Sequence, residues 1–289
     1  MRSALSKLDV ARARNLAEAI SWMEMGVRLG RPWTPLAGGT DLFVYLNAGT
    51  QPDARFLDLW LLQELRGQRK GREGLRLGAL ETFTRLRQSP QVRRSYPALA
   101  AAASVVGAIQ IQNRGTLGGN LANASPAGDS PPVLLALGAS VRLAGPRGTR
   151  DVPMDGFFTG YRATVREPDE LIHSVLLPPP PRGARQFFRK VGTRQAQSIS
   201  KVVLASEMVL ARGRIAGARV ALGSVAPTVI RSPGAEEVLT GEKPTPAVAR
   251  EAARRLAAAL RPIDDVRSTA AYRRSVAARL LELAVAELT

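Results

Sequence analysis

Apolar residues near the start of the chain recur at helical spacing. Leu16, Ala19, Ile20 and Met23 share one face and predict a helix over 13–25, which Gly26 and Gly30 are expected to end. Residues 41–46 open a second apolar stretch of helical character, whereas Phe56–Trp60 and Leu75–Ala79 read as short strands, so this part has the alternation of a mixed α/β unit. An alanine-rich helix is predicted from Pro97 to Ile111, a further helix from Pro132 to Leu137 and a strand from Ser140 to Leu143. Four consecutive prolines, Pro178–Pro181, suit neither a helix interior nor a central strand and mark the expected domain boundary. Beyond them, Val202–Ala211 and Ile215–Leu222 read as antiparallel strands across Arg212-Gly213-Arg214. Amphipathic helices are predicted over 248–260 and 272–288.

Two stretches fit neither period. Pro35–Leu42 carries Gly38-Gly39-Thr40-Asp41, and Gly115–Asp129 holds four glycines, two asparagines, a threonine, a serine and a terminal carboxylate with almost no bulk. Glycine lets a backbone take positive φ and lets a ligand approach with no Cβ in the way, while Thr116, Asn120, Asn123 and Ser125 supply neutral donors and acceptors. Successive N–H groups in such turns form concave anion-binding nests. Two of them on one chain suggest a long, anionic ligand. Neither is a Gly-x-Gly-x-x-Gly fingerprint or a phosphate loop ending in Gly-Lys-Ser/Thr, which argues against a doubly wound nicotinamide enzyme and a P-loop kinase.

Composition narrows the chemistry. At 289 residues the chain is expected to form two or three packed units. It has no cysteine and a single histidine, His173, so thiolate and imidazole metal sites are not expected, and redox chemistry must come from a bound organic cofactor or a partner chain. No apolar run approaches the roughly 20 residues that span a bilayer, and the first residues lack a signal-peptide core, so a cytoplasmic protein is expected. A net charge of +17 raises the question of nucleic acid, but 36 of the 41 basic residues are arginines scattered through every segment, without a recognition motif. A solvated basic surface or a face that docks an acidic partner accounts for the charge instead.

Several residues have plain structural readings. His173 reads as a structural or exposed strand residue, Trp33 and Trp60 as core aromatics, and Asp265 with Arg267 as a cap or ion pair. Asp41 either caps the helix after it or touches a ligand.

Taken in order, Ala37-Gly38-Gly39-Thr40-Asp41-Leu42, Gln110–Asn120 and Ala124–Asp129 resemble the FAD-binding (medium) subunit of the molybdenum hydroxylase family, of the xanthine dehydrogenase and carbon monoxide dehydrogenase type. The likeness continues through Phe158–Tyr161, Pro168–Ile172, Arg189–Ser200, Ala221–Thr228 and Asp265–Ser268 with Tyr272-Arg273, nearly the whole chain. The resemblance implies an α+β protein: a two-part FAD-binding domain of the vanillyl-alcohol-oxidase type, residues 1–55 and 56–177, and a smaller C-terminal α+β domain over 182–289. It implies that Leu36, Ala37, Gly38, Gly39, Thr40, Asp41 and Leu42 wrap the diphosphate of FAD, and that Thr116, Gly118, Gly119, Asn120, Asn123, Ser125 and Asp129 form a second wall. Ile172 and Lys190 would lie near the flavin and adenine ends; Lys190 and Arg194 either approach the flavin or sit on the surface. Asp129 is better suited to accept from hydroxyls or an amine than to meet phosphate.

The implied function is electron transfer. Iron–sulfur clusters on a two-iron two-sulfur small subunit, fed by a molybdopterin large subunit, would deliver electrons through FAD to NAD or another acceptor, with no catalytic side chain and no metal held by this chain. Many relatives carry arginine at the position of Gln112 and an acidic residue at that of Gln197, and these departures bear on the acceptor. The alternatives are a stand-alone flavin-dependent oxidoreductase, which needs its own substrate pocket and base, and a flavin-free scaffold or nucleic-acid-binding protein.

Overall fold

The computed structural model describes residues 8–51, 55–194 and 197–289. The chain opens with β1 (Asp9–Arg12), α1 (Leu16–Arg28), β2 (Thr34–Leu36), α2 (Leu42–Ala48) and β3 (Arg55–Asp58), and the three strands form a parallel sheet in the order β1-β3-β2. Asn15 starts α1 by accepting from the Glu18 N–H at 2.8 Å. Gly26 lies inside α1 instead of ending it: a Cβ there would sit 2.9 Å from the ring of Trp33, so glycine serves the helix's close approach to the chain that returns beneath it. Buried Met23, Trp33, Leu57 and Leu65 centre this small core.

A second sheet follows, built from β4 (Gln68–Gly71), β5 (Gly74–Gly78), β6 (Ser140–Gly145), β7 (Gly148–Pro153) and, after a hairpin of β8 (Phe158–Gly160) and β9 (Ala163–Thr164), β10 (Leu171–Leu177). Its strands run antiparallel in the order β4-β5-β10-β6-β7. Between β5 and β6 come six short helices: α3 (Phe83–Gln88), α4 (Pro90–Ser95), α5 (Pro97–Val105), α6 (Ile109–Arg114), α7 (Leu117–Asn123) and α8 (Ser130–Ala136). The expected helix over 97–111 is therefore two, interrupted at Gly107, which takes φ +57. The glycine-rich segment is likewise not all turn. Thr116 accepts from the Gly119 N–H at 3.0 Å and starts α7, which Ala124 closes in the left-handed region at φ 48.

After the prolines, β11 (Ala184–Val191), β12 (Val202–Ala211), β13 (Arg214–Gly223) and β14 (Ile230–Arg231) make a four-stranded antiparallel sheet, joined by α9 (Pro233–Leu239), α10 (Pro246–Ala259) and α11 (Ala270–Ala286). Its two faces divide by side-chain size. Leu204 pairs with Leu222 and faces the core shared with α9–α11, whereas Ala205 pairs with Ala221 and joins the core that contains α5 and α8. Small residues on that face let the wholly buried α8 lie against β12 and β13. The architecture is α+β, with a sheet covered on both faces tying the two larger cores together.

Candidate functional site

A cleft of about 1500 Å³ runs between the first two cores and the loops at one end of the C-terminal sheet, larger than the roughly 300–1,000 Å³ typical of a drug-sized ligand site. Every one of the sixteen residues singled out from sequence, from Leu36 through Lys190, lines it. At its centre the two glycine-rich segments touch. A Cβ on Gly38 would collide with the backbone carbonyl of Arg114, and one on Gly118 would lie 2.7 Å from the Cβ of Ala79. These two glycines permit backbone to meet backbone. Gly119 differs, because a Cβ there would meet only the Thr116 hydroxyl at 2.8 Å and otherwise project into open space.

Asn123 links the two segments. Its Nδ2 donates to Asp41 Oδ2 at 2.7 Å, and its Oδ1 accepts from the Tyr45 hydroxyl at 3.3 Å and from Arg162 Nη1 at 3.1 Å. Asp41 thus does not cap α2: it has helical backbone angles and no capping bond. Partial loss of water pushes its carboxyl above the ordinary range, with Arg162 pulling the other way. Tyr45 and Arg162 were not singled out from sequence, where one arginine among 36 carries no signal.

The far end of the cleft is built from charge. Asp129 is buried, accepting from Lys190 Nζ at 2.7 Å and from the Ser200 hydroxyl at 2.6 Å, an amine and a hydroxyl as its chemistry suggested. Lys190 also donates to the Val105 carbonyl at 3.0 Å. Its side chain is only 7% exposed, so it is no surface cation. Burial pushes the Asp129 carboxyl up against the pull of Lys190 and Ser200. Nearby, Asp265 pairs with Arg267 at 3.0 Å and with buried Arg273 at 2.8 Å; the expected ion pair exists, and all three residues also line the cleft.

Ile172 reaches the cleft through an irregularity. The register of β10 against β6 shifts between Ile172 and Ser174, which leaves His173 as the extra residue of a bulge and re-aims the side chains before it. Burial and the neighbouring arginines Arg142, Arg76 and Arg69 lower the pKa of His173, whose ring does not line the cleft. Gln112 is also away from the cleft, buried and donating to the Ser104 carbonyl at 2.9 Å. Gln197 does line it, in the left-handed region at φ 49, with its carbonyl accepting from Arg194 at 2.7 Å. Trp33 is a core residue, but Trp60 is not: it is half-buried between the guanidinium groups of Arg66 and Arg114, 4.6 and 3.8 Å from its ring centre.

Residues 6–180 match the family model described as the FAD binding domain in molybdopterin dehydrogenase, and residues 187–288 match the CO dehydrogenase flavoprotein C-terminal domain. The chain belongs to this family of FAD-binding subunits. It is 36% identical over 230 residues to the xanthine dehydrogenase FAD-binding subunit of Escherichia coli O157:H7, covering 78% of this chain and 77% of that one. It is 30% identical over 272 residues to the carbon monoxide dehydrogenase medium chain of Hydrogenophaga pseudoflava, covering 94% and 93%. A solved carbon monoxide dehydrogenase from the same organism, lacking the Mo-pyranopterin moiety, superposes with a TM-score of 0.92 at 30% identity over 97% of this chain and 96% of that one. This flavin subunit is therefore an oxidoreductase component whose cofactor is FAD. Among the described residues no helix is long and apolar enough to cross a membrane.

Proposed function

We propose that this chain is the electron-transfer subunit of a molybdenum-containing hydroxylase, passing electrons from iron–sulfur clusters on a partner chain to NAD or another acceptor through the FAD it holds. The observation that carries the reading is the convergence of both glycine-rich segments with Asp129, Ile172 and Lys190 on one cleft. The donor set fits the cofactor. Bare backbone at Gly39 and Gly119 with the neutral Thr40, Asn120 and Asn123 suits a diphosphate, and an acceptor beside two donors, Asp129 with Lys190 and Ser200, suits the polar edge of a ring. When bound, FAD supplies the chemistry that these side chains lack, accepting electrons singly and delivering a pair as hydride. The chain's own part is to hold and orient the ring, with none of the described side chains assigned as an acid or base.

The proposed partners are a small subunit with two-iron two-sulfur clusters and a large molybdopterin subunit, and the proposed location is the cytoplasm. The FAD-binding part would comprise 1–55 and 56–177, and the C-terminal domain 182–289. The visible spectrum of the purified chain after incubation with FAD tests the site: wild type retains flavin bands through gel filtration, and Gly119→Ala, which places a methyl in the cleft, retains less. Co-expression with the two partner genes tests the assembly; elution of this chain alone as a monomer would overturn it.

A further inference from the structure

We propose that Arg162 is the counter-charge for the diphosphate of a dinucleotide bound between the two glycine-rich segments; the inference rests on the cleft assignment above. Arg162 and Tyr161 form the two-residue tip of the β8–β9 hairpin, where Gly160 pairs with Ala163. Such a tip favours glycine or asparagine, yet an arginine holds φ 54 there. The hairpin belongs to the second sheet's connection, but its tip crosses to the other wall. Arg162 Nη1 donates to the Tyr45 hydroxyl on α2 at 2.8 Å and to Asn123 on α7 at 3.1 Å, 117 and 39 residues away in sequence.

Among the described residues, the other cations on the cleft are turned to other partners. Lys190 is paired with Asp129, and Arg267 and Arg273 with Asp265. Arg166 donates to the carbonyls of Glu167 and Glu170, and Arg261 to those of Ala258 and Leu260 at the end of α10. Arg162 is exposed, touches neutral Tyr45 on α2, just past the first glycine-rich segment, and neutral Asn123 of the second, with the Asp41 carboxylate near it, and so stands where two phosphates held by those segments would need a positive charge. The same diphosphate chemistry occurs in FAD and in a nicotinamide dinucleotide acceptor.

The test uses the full chain freed of flavin, with FAD binding followed by quenching of flavin fluorescence at low and high salt, in Arg162→Gly and Arg162→Lys. Glycine suits the backbone at φ 54 but removes the bonds to Tyr45 and Asn123 together with the cation, so the flavin-free variant should melt at most slightly below wild type. At low salt its Kd for FAD should rise about tenfold, with a smaller difference at high salt and an intermediate value for Arg162→Lys. An unchanged Kd for FAD with weakened NADH binding to the flavin-loaded chain would assign the diphosphate to the acceptor. Wild-type binding of both dinucleotides by Arg162→Gly would overturn the inference, as would an equal loss at every salt concentration accompanied by a much lower flavin-free melting point. Gly119→Ala separates the two readings: if it binds FAD normally the cleft assignment itself fails, whereas a defect there beside a normal Arg162→Gly removes this inference alone.

Discussion

The two ends of the cleft are made by different physics. Around Gly38 and Gly118 the wall is backbone brought into contact by the absence of side chains. Around Asp129 and Lys190 it is a buried ion pair that joins residues 61 apart and fastens β11 and the Ser200 loop to the base of α8. The first kind of wall tolerates no added atom. The second tolerates no missing one, since removing either partner strands a charge away from water.

The largest effect should come from breaking the charged end. Asp129→Ala leaves Lys190 buried with one carbonyl as its partner and should cost about 3–5 kcal/mol in urea unfolding, much of it recovered when Asp129→Leu is combined with Lys190→Met. If the single variant unfolds like wild type, the pair does not hold the cleft together. Next is Gly38→Ala, whose methyl would meet the Arg114 carbonyl; overpacking of about 1–3 kcal/mol is expected, together with loss of bound FAD. A chain that keeps its melting point with alanine at 38 would show that the two segments separate easily.

Acidity distinguishes two buried carboxylates, one just before β10 and one within β12. Arg150 grips Glu170 with bonds of 2.7 and 2.8 Å and holds its carboxyl below the ordinary range. Its contribution is present above the ordinary carboxylate value and is lost as pH falls through the depressed one. Glu207 has the opposite sign. Burial raises its carboxyl, so its contribution is complete below the ordinary value and is lost as pH rises through the raised one. At neutral pH, Glu170→Gln should lose about 1 kcal/mol, discounted for the half-exposed arginine, whereas Glu207→Gln should gain roughly 1 kcal/mol or less. Urea midpoints from acid to neutral pH should show the two variants departing from wild type in opposite directions; parallel curves would refute the assignment. Smallest is the effect of Gly119→Ala on the fold, within about 1 kcal/mol in the flavin-free chain, because its methyl meets only the Thr116 hydroxyl, at 2.8 Å, and otherwise enters open cleft.

What could be read in the sequence follows the same division. The hairpin of β12 and β13 was legible because two largely apolar runs flank Arg212-Gly213-Arg214, and α10 because its apolar face repeats at 3.6 residues; α11 is not the amphipathic helix expected, since apolar residues surround it and only the buried Ala277, Leu280, Leu281, Ala284 and Val285 mark its inner face. Glycine misled where its purpose was tertiary. Gly26 reads as a helix stop but makes room for Trp33, and the glycines of 115–129 read as turn although Thr116 and the chain after it form α7. The short helices α3 and α4 went unread because six residues are too few to show a period.

By itself the sequence determined where the backbone must be bare, and that located both glycine-rich walls of the cleft, since freedom from a Cβ belongs to the single residue. Tertiary structure alone decided which charges meet: that Lys190 lies under Asp129, that a bulge at His173 turns Ile172 inward, and that a hairpin tip carries Arg162 to Tyr45. Such partners lie tens of residues apart, and their pairing depends on how the sheets approach, a property of the packed cores that no local stretch of chain encodes.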